Sequence, residues 1–341
     1  MSSNSKVSKV APHNSFQAKV CHRIGNHCGS TAIRDILEFH GMPMSEAMCF
    51  GLGGGLGVTY LRSPFEGLPY IVHVRSMGFE PRVFENLGIA FAWQEFEKEE
   101  NATTALRNQL NKGKPALLLT NIRHLPYYGT DTDFPGHAIV AWQFDEASES
   151  VYVTDTEREA LIKVPETSLI AARYSTLPPF IHLGNMFSPD TLEKGLDLPS
   201  AVRRAIMENS YRMLTEPDDG LASLECWEKE IDQWCQHKSG QWTLRFAYQV
   251  IEKRGTGGGG FRKMYGDFLE ESSEFLPEIS EWRLVNLMRD ASEKWSEFAL
   301  ALKQESENNS PNAVRLRSCI HKIIVSEKRY LESTQKAFPD E

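Results

Sequence analysis

Apolar residues change their period near the middle of this 341-residue chain. Up to about residue 180, strand-length apolar runs stand at YIVHV (70–74), ALLLT (116–120), HAIVAWQF (137–144) and SVYVTDT (150–156). Helical spacing is mixed among them, over about 28–40 and in NATTALRNQLNKG, where Asn101 reads as the N-cap and Gly113 as the stop. Beyond about residue 190 the strand signal ends. Segments such as LPSAVRRAIMENSYRML, GLASLECWEKEIDQWCQ and AVRLRSCIHKIIVSEKRYLEST repeat apolar residues at helical intervals. The pattern predicts an α+β fold in two domains. A flexible tail over 1–14 precedes a mixed domain over 15–178; the proline-rich STLPPFIHLGNMFSP (175–189) links it to a helical bundle over 190–341.

Charge narrows the function classes. The formal net charge is -9, and both halves are mildly acidic, with 16 Lys+Arg against 19 Asp+Glu up to residue 180. A nucleic-acid binder needs a basic face to neutralise phosphates, and neither half supplies one. No polybasic segment suits an anionic membrane surface, no apolar run of about 18 residues could span a bilayer, and MSSNSKVSKVAPHNS lacks the apolar core of a signal peptide. The expected location is the cytoplasm, with neither nucleic acid nor membrane as partner. In that reducing compartment six irregularly spaced cysteines read as free thiols.

The stretch CHRIGNHC (21–28) holds two cysteines and two histidines just ahead of a helical run. As a zinc knuckle its spacing is poor: each cysteine sits close to a histidine, although His22 and His27 do form an H-x4-H pair. No metal is expected. A thiol on the first turn of a helix has better physical support, because the helix's orphan amides stabilise a thiolate and can donate to an oxyanion. Cys28 occupies that position, and Gly29 and its small successors leave room for a carbonyl to approach. Read alone, such a cysteine is more often a small buried hydrophobe. A base changes that reading. His137 follows a glycine at the start of a strand, and Asp155 lies on the adjacent strand of the hairpin, suited to accept the second imidazole N–H. The order Cys, His, Asp is that of papain-like enzymes.

NHCGSTAIRDILEFHG with SEAMCFGLGGGLG, followed by PGHAIVAW and VTDT, resembles the N-terminal domain of the butirosin biosynthesis protein H family. IEKRGTGGGGFRKMYGDFLEE resembles that family's helical companion domain, so the likeness runs over about residues 13–290. The resemblance implies a C39-peptidase-like, papain-like fold with Cys28 as nucleophile, His137 as base and Asp155 as orienting carboxylate. It implies an acyltransferase that moves an acyl group from a carrier protein or pantetheine thioester to a small-molecule amine. Phosphopantetheine would then arrive on the donor, with no resident cofactor. C39-like enzymes commonly place a Gln upstream of the nucleophile; here the nearest is Gln17, which leaves Asn26 or His22 as the oxyanion side chain.

Two glycine stretches complete the candidate site. GLGGGLG (51–57) matches no nucleotide-binding motif and reads either as a loop whose Gly53, Gly54 and Gly55 line the cleft near Cys28 or, equally, as a tight structural turn. GTGGGG (255–260) spells G-x-G-x-x-G, but it follows a helix. Flanked by Arg254 and Arg262, its Gly257 and Gly258 read either as an interdomain loop with ordinary surface charges or as a candidate anion site ahead of a helix N-terminus, for a phosphopantetheine phosphate or an acidic carrier-protein helix. The same triad also serves a cysteine peptidase or amidohydrolase. A binding protein on a degenerate scaffold is the third reading.

Overall fold

A computed structural model describes residues 20–64, 67–177, 181–192 and 197–339. The expected tail over 1–14, Gln17 and the domain edge at 178 lie outside these residues.

The first described helix, α1 (Cys28–Phe39), starts where His27 adopts an extended backbone and its side chain accepts from the Ser30 amide. Ile33, Ile36 and Leu37 give it a buried face, and it ends before Gly41, which takes φ +81°. Helix α2 (Glu46–Leu52) is capped by the Ser45 hydroxyl, which accepts from Met48 N–H. A glycine turn then leads into strand β1 (Leu56–Arg62), paired antiparallel with β2 (Tyr70–Arg75). Helices α3 (Phe79–Asn86) and α4 (Glu99–Asn111) follow. The α4 start differs from expectation: its N-cap is Lys98, and Glu99 and Glu100 occupy the first turn, where carboxylates suit the helix dipole, so Asn101 lies within the helix.

The main sheet is antiparallel. Its strands are β3 (Ala116–Thr120), β4 (His137–Asp145), β5 (Ser150–Asp155), β6 (Arg158–Pro165) and β9 (Met186–Phe187), in the order β6-β5-β4-β3-β9. Between β6 and β9 come the short helix α5 (Glu166–Ala172) and a two-stranded ribbon of β7 (Tyr174–Ser175) and β8 (His182–Leu183). Alternation along β4 divides the core. Ala138, Val140 and Trp142 join α1 on one face, while Ile139 and Ala141 join Leu106 and Leu110 of α4 on the other. A bulge between Ala141 and Gln143 shifts the parity, so Phe144 rejoins the α4 side.

From Leu198 to Ala337 every described element is helical: α6 (Leu198–Thr215), α7 (Gly220–Gln236), α8 (Gly240–Glu252), a single turn of 3-10 helix at Gly259–Phe261, α9 (Arg262–Ser272), α10 (Glu278–Glu281), α11 (Leu284–Glu305) and α12 (Ala313–Ala337). These helices do not build a separate core. One apolar cluster runs from Ile36 and Phe50 through Val58 and Val74 to Phe268, Trp295 and Ile320. Polar clamps reinforce the join: the Asn209 side chain pairs with both N–H and C=O of Leu56, at 3.1 and 2.9 Å, and Asp219 accepts from Val58 N–H at 2.7 Å. β1 thus has its backbone satisfied by helices α6 and α7.

Of the two readings open to the GLGGGLG stretch, the structure takes the tight turn. The stretch is not a cleft-lining loop: α2 continues through Leu52 and β1 begins at Leu56, leaving a three-residue turn in which Gly54 takes φ +56°. A Cβ on Gly53 would meet the Phe79 ring at 2.3 Å, and one on Gly55 the Phe50 ring at 2.4 Å. These glycines let a helix and a strand close tightly onto aromatic rings.

Candidate active site

Cys28 is the first residue of α1, so its amide and that of Gly29 precede the helix ladder. Among the described residues neither amide has an acceptor. The loop that delivers Cys28 is held from α2. Glu46 Oε1 accepts from the backbone amides of Asn26 (2.8 Å) and His27 (2.7 Å) and from the hydroxyls of Ser30 (3.3 Å) and Thr31 (3.2 Å). Gly25 N–H donates to Thr156 C=O at 2.8 Å, which ties the same loop to the end of β5. A carboxylate accepting several donors at once is a stiff anchor.

His137 opens β4, where the Thr120 hydroxyl donates to its backbone carbonyl at 2.8 Å. Asp155 closes β5. The imidazole Nε2 lies 2.9 Å from both Asp155 carboxylate oxygens, and the thiol of Cys28 interacts with the same ring. With Nε2 committed to Asp155, Nδ1 is the nitrogen that serves the sulfur. Two tyrosines complete the setting. Tyr127 donates to Asp155 Oδ2 at 2.6 Å and Tyr128 donates to it at 3.1 Å, with the Tyr128 hydroxyl also 3.1 Å from His137 Nε2. The Thr156 amide adds a donor to Oδ1 at 2.6 Å. His137 and Asp155 are 6% and 2% exposed, so this network lies beneath the surface.

Electrostatics favour an ion pair across sulfur and ring. Burial opposes a thiolate, but the His137 hydrogen bond and charge, with the Ala138 amide and Arg75, lower the Cys28 thiol from its ordinary value. Burial likewise opposes an imidazolium at His137, yet Asp155 and then Cys28 raise it to about 10. Asp155, despite burial, is held at about 2 by His137 and the Tyr127 hydrogen bond. A thiolate beside an imidazolium, facing two free helix-start amides, can attack a carbonyl and stabilise the oxyanion that forms.

Several candidates fall elsewhere. His22 is not an oxyanion donor, since Nδ1 is 2.6 Å from Asp35 and Nε2 is 3.0 Å from the Arg158 carbonyl. Asn26 is exposed and its side-chain amide donates to Glu46 Oε2 at 3.4 Å, so it braces the loop. Gly29 does stand at the site, where a Cβ would lie 2.9 Å from Glu80 Oε1 and 3.0 Å from His27 Cε1. Gly53, Gly54 and Gly55 do not reach it, being packed as described above. The anion site expected at 254–262 does not assemble. Arg262 is fully buried, its Nε donating to Glu327 at 2.6 Å and its Nη1 to the Val74 carbonyl at 2.8 Å. Arg254 lies outside, donating to Gln249 and stacked 4.6 Å over Phe246. The Gly259 amide already serves Glu252, and that of Gly258 serves Thr256. What the loop does is pack on the Cys28 loop: Cβ atoms on Gly255 and Gly257 would lie 2.9 and 3.5 Å from Asn26.

Sequence reasoning missed Glu46, Tyr127 and Tyr128. For the tyrosines a signal existed: an adjacent aromatic pair in the aperiodic stretch LPYYG, nine residues before His137. Glu46 follows the Ser45 cap, where an acidic residue is ordinary, so nothing in the sequence set it apart. Among the described residues no group of three His, Cys, Asp or Glu side chains converges as a metal site. None of the described helices is long and apolar enough to cross a membrane.

The family model for the N-terminal part of butirosin biosynthesis protein H matches residues 27–156, a span that opens one residue before Cys28 and closes one after Asp155. A second, described as a domain of unknown function (DUF4872), matches residues 167–334. No curated relative matches the chain.

Proposed function

From the match of residues 27–156 to the N-terminal part of butirosin biosynthesis protein H, we propose that this chain is a biosynthetic acyltransferase, or amide synthase, working through an acyl-thioester on Cys28 of a papain-like domain. The observation that carries this reading is the Cys28–His137–Asp155 array, with its thiol lowered and its imidazole raised at a helix start whose first two amides are free. The Cys28 thiolate attacks the carbonyl of a donor thioester, and the Cys28 and Gly29 amides receive the oxyanion. Collapse of the tetrahedral intermediate breaks the donor C–S bond. The leaving pantetheine thiolate takes its proton from His137, which is thereby left neutral. An amine acceptor then attacks the acyl-enzyme, loses its proton to His137, and leaves as the amide while Cys28 returns to thiolate.

Transfer requires that water be kept from the acyl-enzyme. The depth of His137 and Asp155, and the Phe261 ring from the helical half 5.4 Å from His27, favour a narrow acyl arm over a polypeptide. The donor in this reading is a carrier-protein or pantetheine thioester, the acceptor is a small amine, and phosphopantetheine comes and goes with the donor.

The test is intact-protein mass spectrometry after incubation with a panel of acyl-pantetheine thioesters, wild type against Cys28→Ala. The expected result is a mass gain confined to wild type, stable in buffer and discharged by added amines. An adduct that water discharges as fast as amines do would identify a hydrolase. An adduct on Cys28→Ala would remove Cys28 from the chemistry.

A further inference from the structure

The helix that carries Cys28 is capped by an imidazole. His27 Nδ1 accepts from the Ser30 amide at 3.1 Å, and the His27 carbonyl accepts from the Thr31 amide at 2.9 Å. A serine, threonine, asparagine or aspartate would cap the helix with a short side chain and bury little. His27 is instead 4% exposed, and its proton sits on Nε2, which is buried without a partner. Three phenyl rings stand nearly perpendicular to it: Phe50 of α2 at 5.7 Å and 82°, Phe79 of α3 at 5.0 Å and 89°, and Phe261 at 5.4 Å and 89°. Two of these rings belong to the mixed half. The third comes from the helical half, and its backbone is strained to reach. Phe261 holds φ +70°, a region costly for a bulky side chain, and it follows Gly257, Gly258, Gly259 and Gly260, all at positive φ. The turn that delivers the ring is wedged in place: a Cβ on Gly259 would lie 2.3 Å from the Ser292 hydroxyl, and one on Gly260 3.4 Å from Trp295. On its other side Phe261 stacks on Phe50 at 5.0 Å and 11°.

We infer that Phe261 is a positioning residue for the reaction at Cys28: it closes an aromatic box around His27, through which the helical half fixes how α1 presents the Cys28 thiol and the Cys28 and Gly29 amides. A histidine can accept from Ser30 only while it is neutral, since an imidazolium carries N–H on both nitrogens. The box keeps it so. His27 is pushed well below its ordinary value of 6.5, first by burial and then by the charges of Arg75 and His73 on β2 and His137 on β4. The carboxylates that face this end of α1 are engaged elsewhere than at the ring: Glu46 of α2 accepts from the His27 backbone amide at 2.7 Å, and Glu80 of α3 stands over Gly29. Without the Phe261 ring, water reaches Nε2 and the imidazole takes up a proton. That ends the Ser30 bond and releases the first turn of α1. This role rests on Cys28 being the acyl-accepting residue, yet it can be tested without any acyl transfer.

The test compares Phe261→Ala with Phe298→Ala, which opens a similar cavity in the same core beside Trp227. Two quantities are read on the full chain: the pH titration of His27 by isotope-edited imidazole NMR, its signal assigned by its loss in His27→Asn, and the rate of Cys28 alkylation by iodoacetamide, followed by mass spectrometry. His27 should be silent between about pH 5 and 8 in wild type and in Phe298→Ala, and should titrate within that window in Phe261→Ala. At about pH 6, alkylation should fall about fivefold in Phe261→Ala and stay within about twofold of wild type in Phe298→Ala. A new charge on His27 would by itself favour the thiolate, so a fall in rate reports displacement of the helix start. In a His27→Asn background, where asparagine caps the helix without needing a box, Phe261→Ala should change the rate little. Should Phe261→Ala not fold, Phe261→Gly, unstrained at positive φ, takes its place in every comparison. A His27 that stays silent without the Phe261 ring, or an equal loss of alkylation in Phe298→Ala, would overturn the positioning role while leaving the nucleophile intact. A wild-type Cys28 inert to iodoacetamide would overturn the acyl-enzyme reading, and the His27 titration would then decide the box on its own, silence in Phe261→Ala counting against it.

Discussion

At the scale of single residues, the lowering of the Cys28 thiol follows from three groups in line, with Asp155 raising His137 and His137 lowering the sulfur. Alkylation of Cys28 by iodoacetamide should therefore reach its plateau below pH 9.0, the ordinary thiol value. Asp155→Asn removes the charge that keeps His137 protonated, and should slow alkylation at pH 7 by roughly an order of magnitude. The raised imidazole also makes stability depend on pH. Its contribution is complete below the ordinary value of 6.5 and is lost as pH climbs through about 10. The depressed Asp155 carboxyl contributes above 3.8 and loses its contribution as pH falls toward about 2. The difference in urea midpoint between wild type and His137→Gln should accordingly be widest from pH 3.8 to 6.5 and close on either side. Tyr127→Phe removes the 2.6 Å bond to Asp155, and should cost about 1.5–3 kcal/mol in a denaturation curve. Cys28, His137 and Asp155 were legible because each sits at an element boundary that sequence marks: a helix start, a glycine before a strand, the end of a hairpin. Glu46 was not, since the amides it holds lie far from it in sequence, and Tyr127, though one of a visible aromatic pair, was missed because its partner lies on β5.

At the scale of elements, the register of α1 against β4 and β5 decides whether the site exists. Glu46 sets that register from α2, and Glu46→Ala should free the amides of Asn26 and His27, reducing Cys28 alkylation several-fold and lowering the thermal midpoint. Glu46→Gln keeps an acceptor and should recover part of both effects. The strands that carry His137 and Asp155 were readable as apolar runs buried on both faces. β6 was not, because REALIKVP is an exposed edge strand rich in charge, and such edges look like loops. β1 was hidden by its own entrance: glycines that read as a flexible loop are there because Phe50 and Phe79 leave no room for a Cβ. Composition cannot separate a glycine that provides freedom from one that yields space.

At the scale of the whole molecule, the shift from mixed to helical patterning marks a change of secondary structure across a continuous core. The fully buried Arg262 lies on that join, bonded to Glu327 of α12 and to the Val74 carbonyl of β2. Arg262→Ala leaves Glu327 buried and uncompensated and should cost about 3–5 kcal/mol, measured by denaturant titration. A fragment ending at residue 192 would expose Phe50, Val58 and Val74, and should aggregate or bind a hydrophobic dye where the full chain does not. The join also has a meaning for inheritance. Two segments that match separate family models, 27–156 and 167–334, share one interior, so neither can drift alone. A substitution at Phe268 presses on Gly51, and one at Asn209 leaves the ladder of Leu56 unpaired. Gene fusions that swap one segment between relatives would then succeed only where the seam residues travel together, and the natural unit of recombination for this protein is the pair.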